Sequence, residues 1–294
     1  MIRGEHGPTI RLQSPDQTRA RLAGVMTLLA AHALAVPPGS RVSRFVALSE
    51  RFAAKELGPA GHGSVREVNE LLEANRDFAE FATIVEHLLP PQPPAHPLLL
   101  AKLKLVLGGA PFPSEDANAL ARSLQFELYV TALCARGGLA PQFREPDCIV
   151  TAGSIRLGIA AKRAGGPNVR GLVKDGARQL RKAGLVGVVA LSLDRLFAPN
   201  DERIVADSPE GLKPAAPQIV VDTVRPYLAA LDRDAAGSPA LAVVAFVVVP
   251  AAVPRDNSIG RIEAMFTHGL RRPTPAQFAA LLRLHEGLGQ SSAL

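Results

Sequence analysis

The sequence predicts a mixed α/β fold: a helical N-terminal region followed by a core whose central mixed sheet is flanked by helices. Three observations carry that expectation. Apolar residues recur at helical spacing through much of residues 15–107. From residue 114 the order becomes helix, two strands about a tight turn, helix, strand. Farther on, LAVVAFVVV at 241–249 is apolar on both faces, as a central strand requires. Two regions are expected, residues 1–110 and 111–294, consistent with roughly 150 residues per domain.

Taken in order, the run 22–36 (LAGVMTLLAAHALAV) is too short to span a bilayer and reads as a buried helix. Glu5 and Asp16 precede it, so a signal peptide is not expected. Residues 65–89 form a helix with Ser64 as N-cap. The proline-rich stretch 90–97 cannot be helix interior and serves as a turn, before a short helix over 98–107. A helix starts at Ser114-Glu115-Asp116, where acidic residues favour the first turn, and stops at Gly137-Gly138. Strands are expected at 147–151 and 155–162, a basic helix at 168–183 and a buried strand at 185–193. Residues 194–216 read as loop, and 217–235 as a helix broken near Pro226. After the central strand, 259–266 is a further strand and 274–288 a last helix opening at Thr274-Pro275.

Composition limits the function classes. Of the 294 residues 47% are apolar, so a sizeable core can form without staples. The net charge of +6 suits a polyanionic partner such as nucleic acid. Cys134 and Cys148 form neither a CxxC pair nor a zinc-spaced cluster, and are expected as buried thiols in a reducing cytoplasm. GPAGHGS at 58–64 and LGGAP at 107–111 lack the features of a phosphate loop, and no Gly-x-Ser-x-Gly elbow occurs.

One set of residues carries chemistry: Glu127, Asp147, Lys162 and Gln179, in the order helix, strand, strand, helix. The stretches are QFELYV (125–130), EPDCIV (145–150), LGIAAKR (157–163) and DGARQL (175–180). In this order the region 114–195 resembles the PD-(D/E)xK nuclease superfamily, the restriction endonuclease-like proteins, with the acidic residue of (D/E)xK replaced by Ala160.

The resemblance implies a Mg²⁺-dependent nuclease, Mn²⁺ being able to substitute, that cleaves phosphodiester bonds, in DNA rather than RNA. Such chemistry needs an activated water and cations opposite the developing phosphorane charge. Asp147 would be the main metal ligand, Lys162 would orient the water, and Gln179 would complete the catalytic set. Strand period puts positions 160 and 162 on one face, so a glutamate at 160 would sit beside the lysine. Alanine cannot bind metal, and two acids are candidate replacements. Glu127 lies on an apolar helix stripe, where a carboxylate needs a partner. Asp175 stands 13 residues after Lys162, on the flank of the basic helix that also carries Gln179. Arg163, Arg170, Lys174, Arg178, Arg181 and Lys182 would hold the phosphates.

Each residue also has a plainer reading. Asp147 would cap a turn after Pro146, Lys162 would be solvated, Glu127 would pair with an arginine in the core, Asp175 would pair along its helix with Arg178 or Arg170, and Gln179 would be surface polar. The alternative function is a catalytically inactive nucleic-acid-binding or scaffold protein on the same fold. Cleavage of both strands would call for two sites, hence a homodimer.

Overall fold

In the computed structural model residues 3–109, 120–197, 203–233 and 237–289 are described. The expected helix start at Ser114 lies outside them. Among the described residues ten helices flank a seven-stranded mixed sheet, so the fold is α/β.

The chain opens with a strand rather than a helix. β1 (Arg3–Gln13) pairs antiparallel with β7 (Ser258–Gly269). Ser14 then caps α1 (Pro15–Ala31) in a reciprocal capping box with Gln17. The helices α2 (Arg41–Ala53), α3 (Val65–Leu88), α4 (Pro97–Val106) and α5 (Leu120–Arg136) follow. Ser64 caps α3 as expected, with Glu67 returning the bond. β2 (Cys148–Ala152) and β3 (Ile155–Arg163) form an antiparallel hairpin whose turn uses Gly153 at φ 64°. α6 (Val169–Lys182) leads to β4 (Gly187–Ser192), which lies parallel to β3. The expected loop at 194–216 contains the short elements α7 (Asp194–Phe197), β5 (Ile204–Val205) and α8 (Pro209–Leu212). α9 (Ala215–Arg233) runs through Pro226 without the expected break. β6 (Ala240–Val253) and β7 close the sheet as a long antiparallel pair about a 3-10 turn, and α10 (Pro275–Gly289) follows.

The sheet order is β1-β7-β6-β4-β3-β2, with β5 beside β6. β6 is central and buried along its whole length, which explains its unbroken apolar sequence. Alternation along the strands feeds two cores. Leu157, Ile159, Val188 and Val244 face α3, α5 and α10. Ala160, Val189, Leu191 and Val243 face α6 and α9. The first core runs from Leu22 on α1 to Leu288 on α10, so the N-terminal helices pack into one core with this face of the sheet.

A polar network crosses that core beneath α2, α3 and α5. Arg163, at the end of β3, bonds Glu80 at 3.1 and 3.2 Å, Asp194 at 3.3 Å, Ser192 at 3.2 Å and the Arg122 carbonyl at 3.1 Å. Its guanidinium stands 5.9 Å from the centre of the Phe126 ring. Asp194 also accepts from Ser192 and from the Val248 amide, tying α7 to β6. Gln125 donates to Glu80 and accepts from Arg41, and Asp77 accepts from Arg41 and Arg122. Burial alone would raise the Asp77 carboxyl, but Arg122, Arg41 and Arg76 hold it well below the carboxylate range.

Breaking this network should cost more than any surface change. Arg163→Ala leaves Glu80 and Asp194 buried without their shared cation, and the expected destabilisation is about 3–5 kcal/mol. Urea unfolding at neutral pH measures it. A loss below about 1 kcal/mol would mean that the network contributes little.

Candidate functional site

The start of β2 and the end of β3 lie side by side at one edge of the sheet, because the hairpin register pairs Cys148 with Ile159. Asp147, one residue before β2, therefore reaches the end of β3. Its Oδ2 accepts from the Ala161 amide at 2.8 Å and stands 3.7 Å from Lys162 Nζ. Its Oδ1 accepts from Gln179 Nε2 at 3.2 Å, while the same amide group donates to the Pro146 carbonyl at 3.0 Å. Lys162 donates in turn to Gln179 Oε1. Asp147, Lys162 and Gln179, 32 residues apart at most, thus form one set, joined by two hydrogen bonds through Gln179 and closed by the Asp147–Lys162 ion pair.

Glu127 joins from α5, and Lys102 from α4 donates to it. Burial pushes the Glu127 carboxyl above its ordinary range; the Lys102 hydrogen bond opposes that, and the charge of Asp147 adds to it. Asp147 is also raised, first by burial, against the charge of Lys162 and the bonds from Ala161 and Gln179. The two acids and two lysines therefore share one electrostatic neighbourhood, partly withdrawn from water.

Several expected residues lie elsewhere. Asp175 points to solvent and pairs with Arg178 at 2.9 Å, so it is no replacement for the missing strand acid. It shares a helix flank with Gln179 but lies one turn away, and it is Gln179 that reaches Asp147 and Lys162. Arg163 cannot hold phosphate, since it is sealed into the Glu80–Asp194 network with 9% of its side chain exposed. Adjacent strand positions face opposite ways, and position 163 faces the α3–α5 core. Arg170, Lys174, Arg178, Arg181 and Lys182 are all exposed on α6. Sequence reasoning did not single out Lys102. In PLLLAKLKLV nothing separates it from Lys104; its one signal is its place beside the buried stripe Leu99, Leu103, Val106.

Position 160 cannot take an acid. Ala160 is fully buried under α6, and a Cβ added to Gly176 of that helix would stand 3.3 Å from the Ala160 methyl. Shared strand parity with Lys162 is real, but Ala160 lies beneath the helix and Lys162 near its edge.

The donor set does not fit the Mg²⁺ or Mn²⁺ that the resemblance implied. Mg²⁺ is held by one or two carboxylates with waters and phosphate oxygens. Asp147 and Glu127 meet that number, but two ammonium groups cancel their charge. Lys102 occupies Glu127 Oε1 and both Asp147 oxygens already accept hydrogen bonds. Among the described residues no group of three His, Cys, Asp or Glu is arranged to hold a metal. Cys134 and Cys148 are free and buried. No described helix is long and apolar enough to cross a membrane.

Comparison with protein-family models, with curated proteins and with solved structures returns no match.

Ala160→Glu should therefore destabilise the fold rather than restore a metal ligand. Overpacking beneath α6 costs about 1–3 kcal/mol, and an unpaired buried carboxylate adds to it. A lowered unfolding midpoint without new Mn²⁺ binding is the expected outcome, and an unchanged midpoint would show that α6 yields.

Proposed function

We propose that this chain binds the phosphodiester backbone of nucleic acid, DNA in the first instance, on a nuclease-like α/β core that does not cleave it. The single supporting observation is that one helix serves both surfaces. α6 supplies Gln179 to the Asp147–Lys162 set, and its outer face presents Arg170, Lys174, Arg178, Arg181 and Lys182. Exposed cations along one face are the electrostatic footprint of a phosphate-binding surface. The absence of a strand acid, the exposure of Asp175 and the pairing of Glu127 with Lys102 favour binding over catalysis.

The helix is tested by salt dependence. Lys174→Ala combined with Arg178→Ala should weaken binding to a short duplex at every sequence tried. It should also reduce the slope of log affinity against log salt by about 0.9 for each phosphate no longer neutralised. An unchanged slope would make α6 an ordinary solvated face. In the same samples no cleavage is expected with Mg²⁺ or Mn²⁺.

A second reading, a Mg²⁺-dependent nuclease, draws on one observation: Glu127 feels the charge of Asp147, so two acids do share the neighbourhood. Plasmid nicking that needs Mg²⁺ and disappears in Asp147→Asn would establish it in place of the first.

The raised acids give a pH dependence. Folding favours the protonated forms of Asp147 and Glu127, so their contribution to stability is present below the ordinary carboxylate range and is lost as pH rises through their raised values. Protonation also frees Lys102 and Lys162 to meet an anion. Duplex affinity should rise as pH is lowered through the upper carboxylate range, and Asp147→Asn should flatten that rise. A wild-type profile matching that of Asp147→Asn would rule out the coupling.

A further inference from the structure

We propose that the Lys102 ammonium, held on Glu127, is a built-in cation that takes the role of a metal in this site and keeps a divalent ion out. This rests on the metal-free reading of the site and names the group responsible for it.

Asp147 and Glu127 carry two negative charges, and Lys102 and Lys162 carry two positive ones. Lys162 is engaged with Asp147 and Gln179, leaving Glu127 to Lys102. Both members of the second pair are withdrawn from water, with 19% of the Lys102 side chain and 12% of the Glu127 side chain exposed. An ion pair so placed is screened far less than one on the surface. Lys102 contacts Glu127 directly, and its charge adds, behind that of Lys162, to what holds the Asp147 carboxyl down.

The surroundings prevent correction from elsewhere. A third acid cannot enter from β3, because Gly176 closes over Ala160. Nor can one enter from the outer face of α6, because Asp175 is turned outward to Arg178. With Lys102 in place the set is neutral and offers a hard dication no net attraction. Without it, two carboxylates face a single ammonium. That residual negative charge, with one Glu127 oxygen released, meets the minimum that Mg²⁺ or Mn²⁺ requires.

The test is Mn²⁺ binding to the full chain, read as loss of the free-ion EPR signal, with no nucleic acid present. Wild type should show no saturable site. Lys102→Met should gain one saturable Mn²⁺ site per chain, at least about tenfold tighter than any residual binding by wild type, since removing one charge at close range in a partly buried site is a large change. Glu127→Gln in the Lys102→Met background should abolish the gain. Lys102→Gln serves as a second variant should Lys102→Met fail to fold, and thermal melts establish that each protein is folded. Saturable Mn²⁺ binding by wild type as tight as by Lys102→Met would overturn the proposal, as would folded Lys102 variants with no gained site. Because the assay contains no DNA, failure of duplex binding and failure of this proposal are seen separately.

Discussion

The fold depends on one guanidinium. Arg163 stands where β3 ends, and its hydrogen bonds reach α3 through Glu80, α5 through the Arg122 carbonyl, β4 through Ser192 and α7 through Asp194. Asp194 then holds the β6 amide of Val248. A buried carboxylate is costly unless paired, and here two share one arginine, so none of these elements can withdraw without exposing a charge to an apolar interior. Arginine suits the position because its planar fork can bond in several directions at once, where lysine offers one compact centre. The network thereby fixes the end of β3 between the two helical layers.

That fixed end explains the candidate site. Consecutive residues of a strand face opposite sides, and Lys162 and Arg163 are the last two of β3. Arg163 anchors the strand on one side, and Lys162 is delivered on the other to Gln179 of α6. Asp147 enters because the hairpin register brings the residue before β2 beside the same strand end. The result is a set of polar groups with matched charges. Evenly matched carboxylates and ammonium ions suit exchange with an anion, whereas a catalytic metal centre needs an excess of negative ligands.

The parts of this arrangement legible in sequence are those governed by local rules. The β2–β3 turn, the Ser64 cap and the apolar β6 run follow from spacing and period over short stretches, whereas the convergence of Asp147, Lys162 and Gln179 follows from the order of motifs behind the resemblance. What was not legible depends on long-range packing. β1 carries too mixed a pattern to stand out, and it is a strand because β7 offers it an edge. Pro226 suggested a break, yet α9 continues through it, so the local penalty of a proline does not decide where this helix ends. Strand parity correctly put positions 160 and 162 on one face, but parity cannot say how far a covering helix extends. Helical periodicity put Asp175 and Gln179 on one flank of α6, but it could not say which turn of that flank meets Asp147. Lys102 lies in a different helix from every other member of its cluster, and only the packing of α4 on α5 brings it to Glu127.

The pairing of β1 with β7 sets an order of assembly. Arg11 bonds Glu263 across 252 residues of sequence. During synthesis β1 emerges long before the edge that receives it. Until β6 and β7 appear, β1 has no partner in this sheet, and the antiparallel pair that supplies its edge is made only after α9. Contacts so distant close slowly, and an unpaired strand is exposed to other chains while it waits. The helices α1 to α5 can begin to pack earlier, because their contacts are local, so the layer that brings Lys102 to Glu127 has the means to form before the sheet is complete. β1 would then be among the last strands of this sheet to find its place.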